Sequence, residues 1–141
     1  MKKTILIYVL LVLGSVTVFG QNSDKINYSG GEIYRVTKDR SSERETSRVP
    51  YGKVMAIEYD TYFKKITCLF KVSEGVTGFT LEYVRDAENS SSGMMIMYDR
   101  KSGEKYYVIN NLNSNGTMLM TLTRELESEM VSFYFTGVKK D

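Results

Sequence analysis

The residues that could do chemistry in this chain are carboxylates, one thiol and a set of thioethers, because histidine is absent. Without imidazole there is no Ser-His or Cys-His nucleophile pair, no usual zinc ligand and no general base with an ordinary pKa near neutrality. A glycosidase needs only two carboxylates flanking the scissile bond, and Glu58, Asp60, Glu82 and Asp86 fall on or near stretches that read as neighbouring strands. No tryptophan accompanies them as a sugar platform, and carboxylates on the outer face of strands are ordinary. A carboxylate-based hydrolase is therefore the third reading, and no catalytic residue is assigned.

Cys68 is the only cysteine, so no disulfide can form within the chain. It alternates in phase with Ile66, Phe70 and Val72, which reads as a buried, inert thiol. Asp86-Ala87-Glu88-Asn89-Ser90 offers oxygen ligands that calcium could use, but it lacks the spacing of a calcium loop and reads more simply as a solvated acidic turn. Met94, Met95, Met97, Met118 and Met120 sit on strands expected to be neighbours, and soft thioethers select Cu(I). Methionine is also an adaptable core filler. No metal or cofactor is assigned.

These residues are positioned by alternating runs. From Gly93 to Thr123, three runs rich in β-formers are separated by turn residues around Gly103 and Gly116, the pattern of an antiparallel meander. Met118, Met120 and Leu122 alternate with Thr117, Leu119, Thr121 and Thr123, so one face needs an apolar partner layer. Earlier runs are Glu32 to Thr37; Lys53 to Tyr59 with Met55, Ile57 and Tyr59 on one face; Tyr62 to Ser73; and Gly78 to Arg85 with Phe79, Leu81 and Tyr83 on one face. Lys38 to Gly52, charged and serine-rich, reads as a long solvated loop. Arg124 to Glu129 is a helical turn or a hairpin end, and Met130 to Val138 closes the set with Val131, Phe133 and Phe135 inward. No helical periodicity lasts longer than a turn.

The expected fold is thus all-β, an up-and-down antiparallel meander of about eight strands. The short sequential connections favour a closed barrel over a two-sheet sandwich. Sequential strands behind a leader resemble the calycin group, the lipocalins and their relatives, over the strand plan of residues 31 to 138. Where those proteins usually carry Gly-x-Trp, this chain has Gly31-Glu32-Ile33. The resemblance implies a barrel that holds a small apolar ligand.

The first residues, Met1-Lys2-Lys3, precede an apolar run from Ile5 to Leu13 and small residues up to Gly20. That order reads as a secretory signal, residues 1–20, cleaved after Gly20 and leading to a secreted or periplasmic protein with no membrane span after cleavage. Residues 21–31 read as a flexible lead-in and 32–141 as one domain. The formal charge of +2 comes from Lys2 and Lys3, so the remainder is balanced and carries no basic surplus for nucleic acid.

Two binding modes follow for a non-catalytic protein. In the first, a small apolar molecule occupies a lumen lined by Met55, Ile57, Phe79, Leu81, Tyr83, Met118, Met120, Phe133 and Phe135. In the second, a protein partner docks on strands apolar on both faces, through Met94, Met95, Met97, Tyr106 and Tyr107. Sequence leaves open whether the lumen is hollow or filled, and the oligomeric state.

Overall fold

A computed structural model describes residues 24–88 and 92–141. They form nine strands and no helix: β1 (Lys25–Ser29), β2 (Glu32–Asp39), β3 (Glu45–Asp60), β4 (Lys65–Val72), β5 (Gly75–Asp86), β6 (Met95–Asp99), β7 (Lys105–Leu112), β8 (Thr117–Glu125) and β9 (Glu129–Lys140). Each strand from β2 to β9 pairs antiparallel with the next, and β9 returns to pair with β2. The product is a closed eight-strand, up-and-down barrel with β1 as an added strand. Closure leaves no open edge among the eight.

The meander at Met95 to Glu125 has the expected order, and Gly103 and Gly116 both take positive φ in its turns. Alternation also holds where it was clearest. Met118, Met120 and Leu122 keep at most 2% of their surface, while Leu119 between them is 47% exposed. Ile66, Cys68 and Phe70 are buried in the same phase. Arg124 to Glu129 is a hairpin end, in which the Leu126 amide donates to the Glu129 carbonyl at 2.8 Å.

Three expectations are corrected. Lys25 to Ser29 is a strand rather than part of a flexible lead-in. It continues the register of β2 against both neighbours: Tyr28 pairs with Ile57 as Glu32 does with Lys53, and Ser29 pairs with Lys139 as Glu32 does with Thr136. Gly30 and Gly31, both at positive φ, interrupt the line. Tyr28 is buried and Ile26 packs on the core, so long-range pairing and burial order a segment too short to announce itself.

Second, Lys38 to Gly52 is not a long loop. β3 begins at Glu45, and the connection is a tight turn whose Asp39 carboxylate accepts hydrogen bonds from the amides and hydroxyls of Ser41 and Ser42 at 2.6 to 3.0 Å. The Ser41 hydroxyl, with the Ser42 amide and hydroxyl, holds the Asp39 carboxyl down to about 2. From Glu45 to Tyr51 every residue of β3 is exposed, so no apolar alternation marks the strand. Third, the phase of β3 changes at a bulge, where Val54 pairs with Phe70 but Ala56 with Leu69. Val54 and Ile57 are buried and Met55 is 51% exposed, which removes Met55 from the lumen.

The interior is filled over most of its length. Ile57, Ile66, Leu81, Met97, Val108, Met118 and Met120 are fully buried in one cluster, and the methionines pack between branched side chains. Cys68 belongs to this cluster, and burial pushes its thiol up to about 12. It is expected to resist a thiol reagent in the native protein and to react stoichiometrically in denaturant. Prompt stoichiometric labelling under native conditions would place it at the surface instead. Among the described residues no helix is long and apolar enough to cross a membrane.

A candidate ligand pocket in the barrel

The filled interior gives way to a cavity of about 180 Å³ toward the end that carries the β4–β5, β6–β7 and β8–β9 turns. Six aromatic residues line it: Tyr51 from β3, Phe70 from β4, Phe79 from β5, Tyr106 from β7, and Phe133 and Phe135 from β9. Ile33, Leu122, Thr77, Gly78 and Asp99 complete the wall.

Five of the six rings form a connected chain. Phe133 and Tyr51 have centroids 5.0 Å apart, Tyr51 and Phe70 5.8 Å, Phe70 and Phe79 6.0 Å, and Phe79 and Phe135 6.1 Å with the last pair edge to face. Tilted and edge-to-face pairs at these separations add about 0.5–1.5 kcal/mol each beyond their burial, so the wall is held in place before anything enters. Gly78 matters for a different reason. A β-carbon there would lie 2.3 Å from the Cys68 carbonyl oxygen, so only glycine lets β5 approach β4 this closely.

Four wall residues carry polar side-chain groups, Tyr51, Thr77, Asp99 and Tyr106, and the last two are built into hydrogen-bond networks. Asp99 ends β6, and its carboxylate accepts from the Ser102 hydroxyl at 2.7 Å, the Ser102 amide at 3.2 Å, the Thr80 amide at 3.4 Å and the Lys101 amide at 3.5 Å. Burial pushes its pKa up, but hydrogen bonds from Ser102, Lys101 and Thr80 outweigh that and hold the carboxyl below its ordinary value. The Tyr106 hydroxyl donates to Glu104 at 3.1 Å, and Glu104 in turn meets Arg124 at 2.8 Å. Burial, together with the Glu104 charge, pushes the Tyr106 phenol up to about 12.

Of the lumen residues expected from sequence, Phe79, Phe133 and Phe135 line this cavity. Ile57, Leu81, Met118 and Met120 are packed core outside its wall, and Met55 faces solvent. Tyr83 is half-buried with its ring under the Lys64 ammonium at 4.4 Å and its hydroxyl donating to Asp86 at 3.1 Å. Of the residues read as an interface, Met95 and Met97 are buried at 8% and 0% exposure, which corrects that expectation. Met97 lies between Tyr83 and Tyr106 in register, inside the barrel. Met94 is half-buried, Tyr106 lines the pocket, and Tyr107 is half-buried beneath Lys105 at 4.9 Å.

The expected lumen did not include Ile33, Tyr51, Phe70, Thr77, Gly78, Asp99, Leu122 or Tyr106, the last of which read as interface. Tyr51 sits in the half of β3 that has no alternation, and Asp99 reads as an ordinary turn carboxylate. The four carboxylates considered for hydrolysis do not line the cavity. Glu58 meets Lys25 at 3.1 Å, Asp60 caps the β3–β4 turn by accepting from the Tyr62 and Phe63 amides, Glu82 meets Arg100 at 3.8 Å, and Asp86 accepts from Tyr83. Among the described residues no three His, Cys, Asp or Glu side chains cluster as metal ligands.

Comparison of the chain with protein-family models, with curated proteins and with solved structures finds no match.

Proposed function

We propose that this protein binds a small, mostly apolar molecule in the aromatic pocket of its barrel and acts by holding it, without catalysis. The observation that carries this reading is an aromatic-walled pocket of about 180 Å³ that opens at one mouth of an otherwise filled barrel, with Tyr51 39% exposed at its rim. Cavities cost stability in proportion to the contacts their lining forgoes, and here the lining is drawn from eight strands and its six aromatic rings from five of them. An apolar cavity of about 150 Å³ accepts benzene, so the fitting ligand has roughly one ring or a short branched chain. Docking of a protein on the β6–β7 strands loses weight because Met95 and Met97 are core.

We place the protein outside the cytoplasm, as a secreted or periplasmic binder, on the strength of residues 1–20. Those residues lie outside the described part of the chain, so the support is the charge and hydropathy pattern alone. Mass-spectrometric mapping of the protein from its host is expected to find an N-terminal peptide that begins at Gln21 or its pyroglutamate form; a chain that begins at Met1 would overturn export by a cleaved leader.

The binding reading is tested by native mass spectrometry of the protein purified from its host, before and after organic extraction. A bound small mass that extraction removes is the expected result. A bare protein in both samples, with no thermal stabilisation by any of a panel of single-ring compounds, would overturn it.

A further inference from the structure

The pocket holds one full charge and nothing that cancels it. Asp99 is the only carboxylate in the wall, and no lysine or arginine lines it. All four donors to that carboxylate are neutral amides or a hydroxyl, and among the described residues Asp99 enters no ion pair. The nearby arginines are paired elsewhere. Arg100 meets Glu82 and Arg124 meets Glu104, while Arg100 and Lys101 line an adjoining hollow with Thr67 and Leu69 that shares Gly78 and Phe79 with the pocket.

The remaining chemistry has the same sign. Aromatic faces carry negative quadrupole density and attract cations. The Tyr106 hydroxyl proton is committed to Glu104, so it is not available to an anion. An anion entering here would meet a carboxylate and π-faces with no cation to receive it. An ammonium would meet the negative charge of a carboxylate whose oxygens already accept four protein hydrogen bonds, and rings for its own charge.

We propose that the ligand of this pocket is an organic cation, an ammonium-type head against Asp99 and the aromatic wall on an apolar body about the size of one benzene ring. This rests on the pocket being a binding site, and it adds the charge and class of what is bound.

The test is isothermal titration of the full mature chain with three probes of nearly equal shape: 2-phenylethylammonium, 2-phenylethanol and 3-phenylpropionate. The ammonium is expected to bind about tenfold more tightly than the alcohol, the order of one desolvated cation–π and charge-assisted contact, and the carboxylate to bind least. In Asp99→Asn the ammonium should lose about tenfold relative to the alcohol, whose own affinity reports any loosening of the turn that Asp99 caps. The three-probe comparison on wild-type protein stands whether or not that variant folds. Alcohol binding as tightly as ammonium would overturn the cation assignment and leave the pocket reading in place. If none of the three binds, the cation assignment falls, and the extraction experiment decides the pocket reading.

Discussion

Replacing Gly31 by alanine is expected to destabilise the barrel by about 3 kcal/mol or more, enough to lower the melting temperature by about 10 °C. Two effects combine at this residue. Its φ is +89°, a conformation side chains other than glycine adopt only at a cost. A β-carbon would also lie 2.4 Å from the Thr136 carbonyl oxygen and 2.8 Å from backbone atoms of Gly137 and Val138. Every one of these is backbone of β9, so relief requires moving a strand. The Gly31 carbonyl accepts from the Val54 amide at 3.1 Å, which ties the same point to β3. Gly137 faces it at φ +71°, and its own β-carbon would lie 3.7 Å from the Gly31 Cα.

Gly30 supplies the control. It has φ +73° and nothing within 4 Å of a β-carbon, so Gly30→Ala should cost only the backbone term, about 1 kcal/mol. Urea unfolding followed by tyrosine fluorescence, with no tryptophan to interfere, compares the two. Equal losses for the two variants would mean that β1, β2 and β9 do not converge at Gly31.

Strands with one wet and one dry face, such as β4 and β8, were legible because burial imposes period two on them. The first half of β3 was not, since Glu45 to Tyr51 is exposed throughout and is held as a strand by its ladder to β2. Met55 failed for a local reason: the bulge puts Val54 and Ile57 inward three residues apart, which no alternation rule anticipates. Met95, Ile96 and Met97 read as a two-faced apolar strand, hence as an interface. All three are buried, the methionines inside and Ile96 opposite Arg85 and Tyr107 in register.

The pocket was only half legible. Phe79, Phe133 and Phe135 follow from alternation, but their sharing of a void with Tyr51 and Phe70 depends on how β3, β4, β5 and β9 curve together. A cavity is a property of packed volumes, and residue types alone do not specify whether rings meet or leave space.

Phe135→Ala should therefore separate the structural from the ligand-holding role of the aromatic wall. Phe135 is 2% exposed, belongs to the main cluster and meets Phe79 edge to face at 6.1 Å. Truncation is expected to cost about 3–5 kcal/mol, since it removes a buried ring and leaves space beside an existing cavity that the rigid barrel cannot collapse. Phe133, only partly buried at the same wall, should lose less on the same change, about 1–2 kcal/mol. The enlarged site then becomes an assay. A single-ring compound bound at one hundred times its dissociation constant returns about 2.7 kcal/mol, and a two-ring compound should stabilise Phe135→Ala while leaving wild-type protein unmoved. Thermal unfolding with and without each compound reads both numbers. A two-ring compound that stabilises neither protein, alongside the full loss of stability, would show that Phe135 packs the barrel without bounding a site that a ligand can enter.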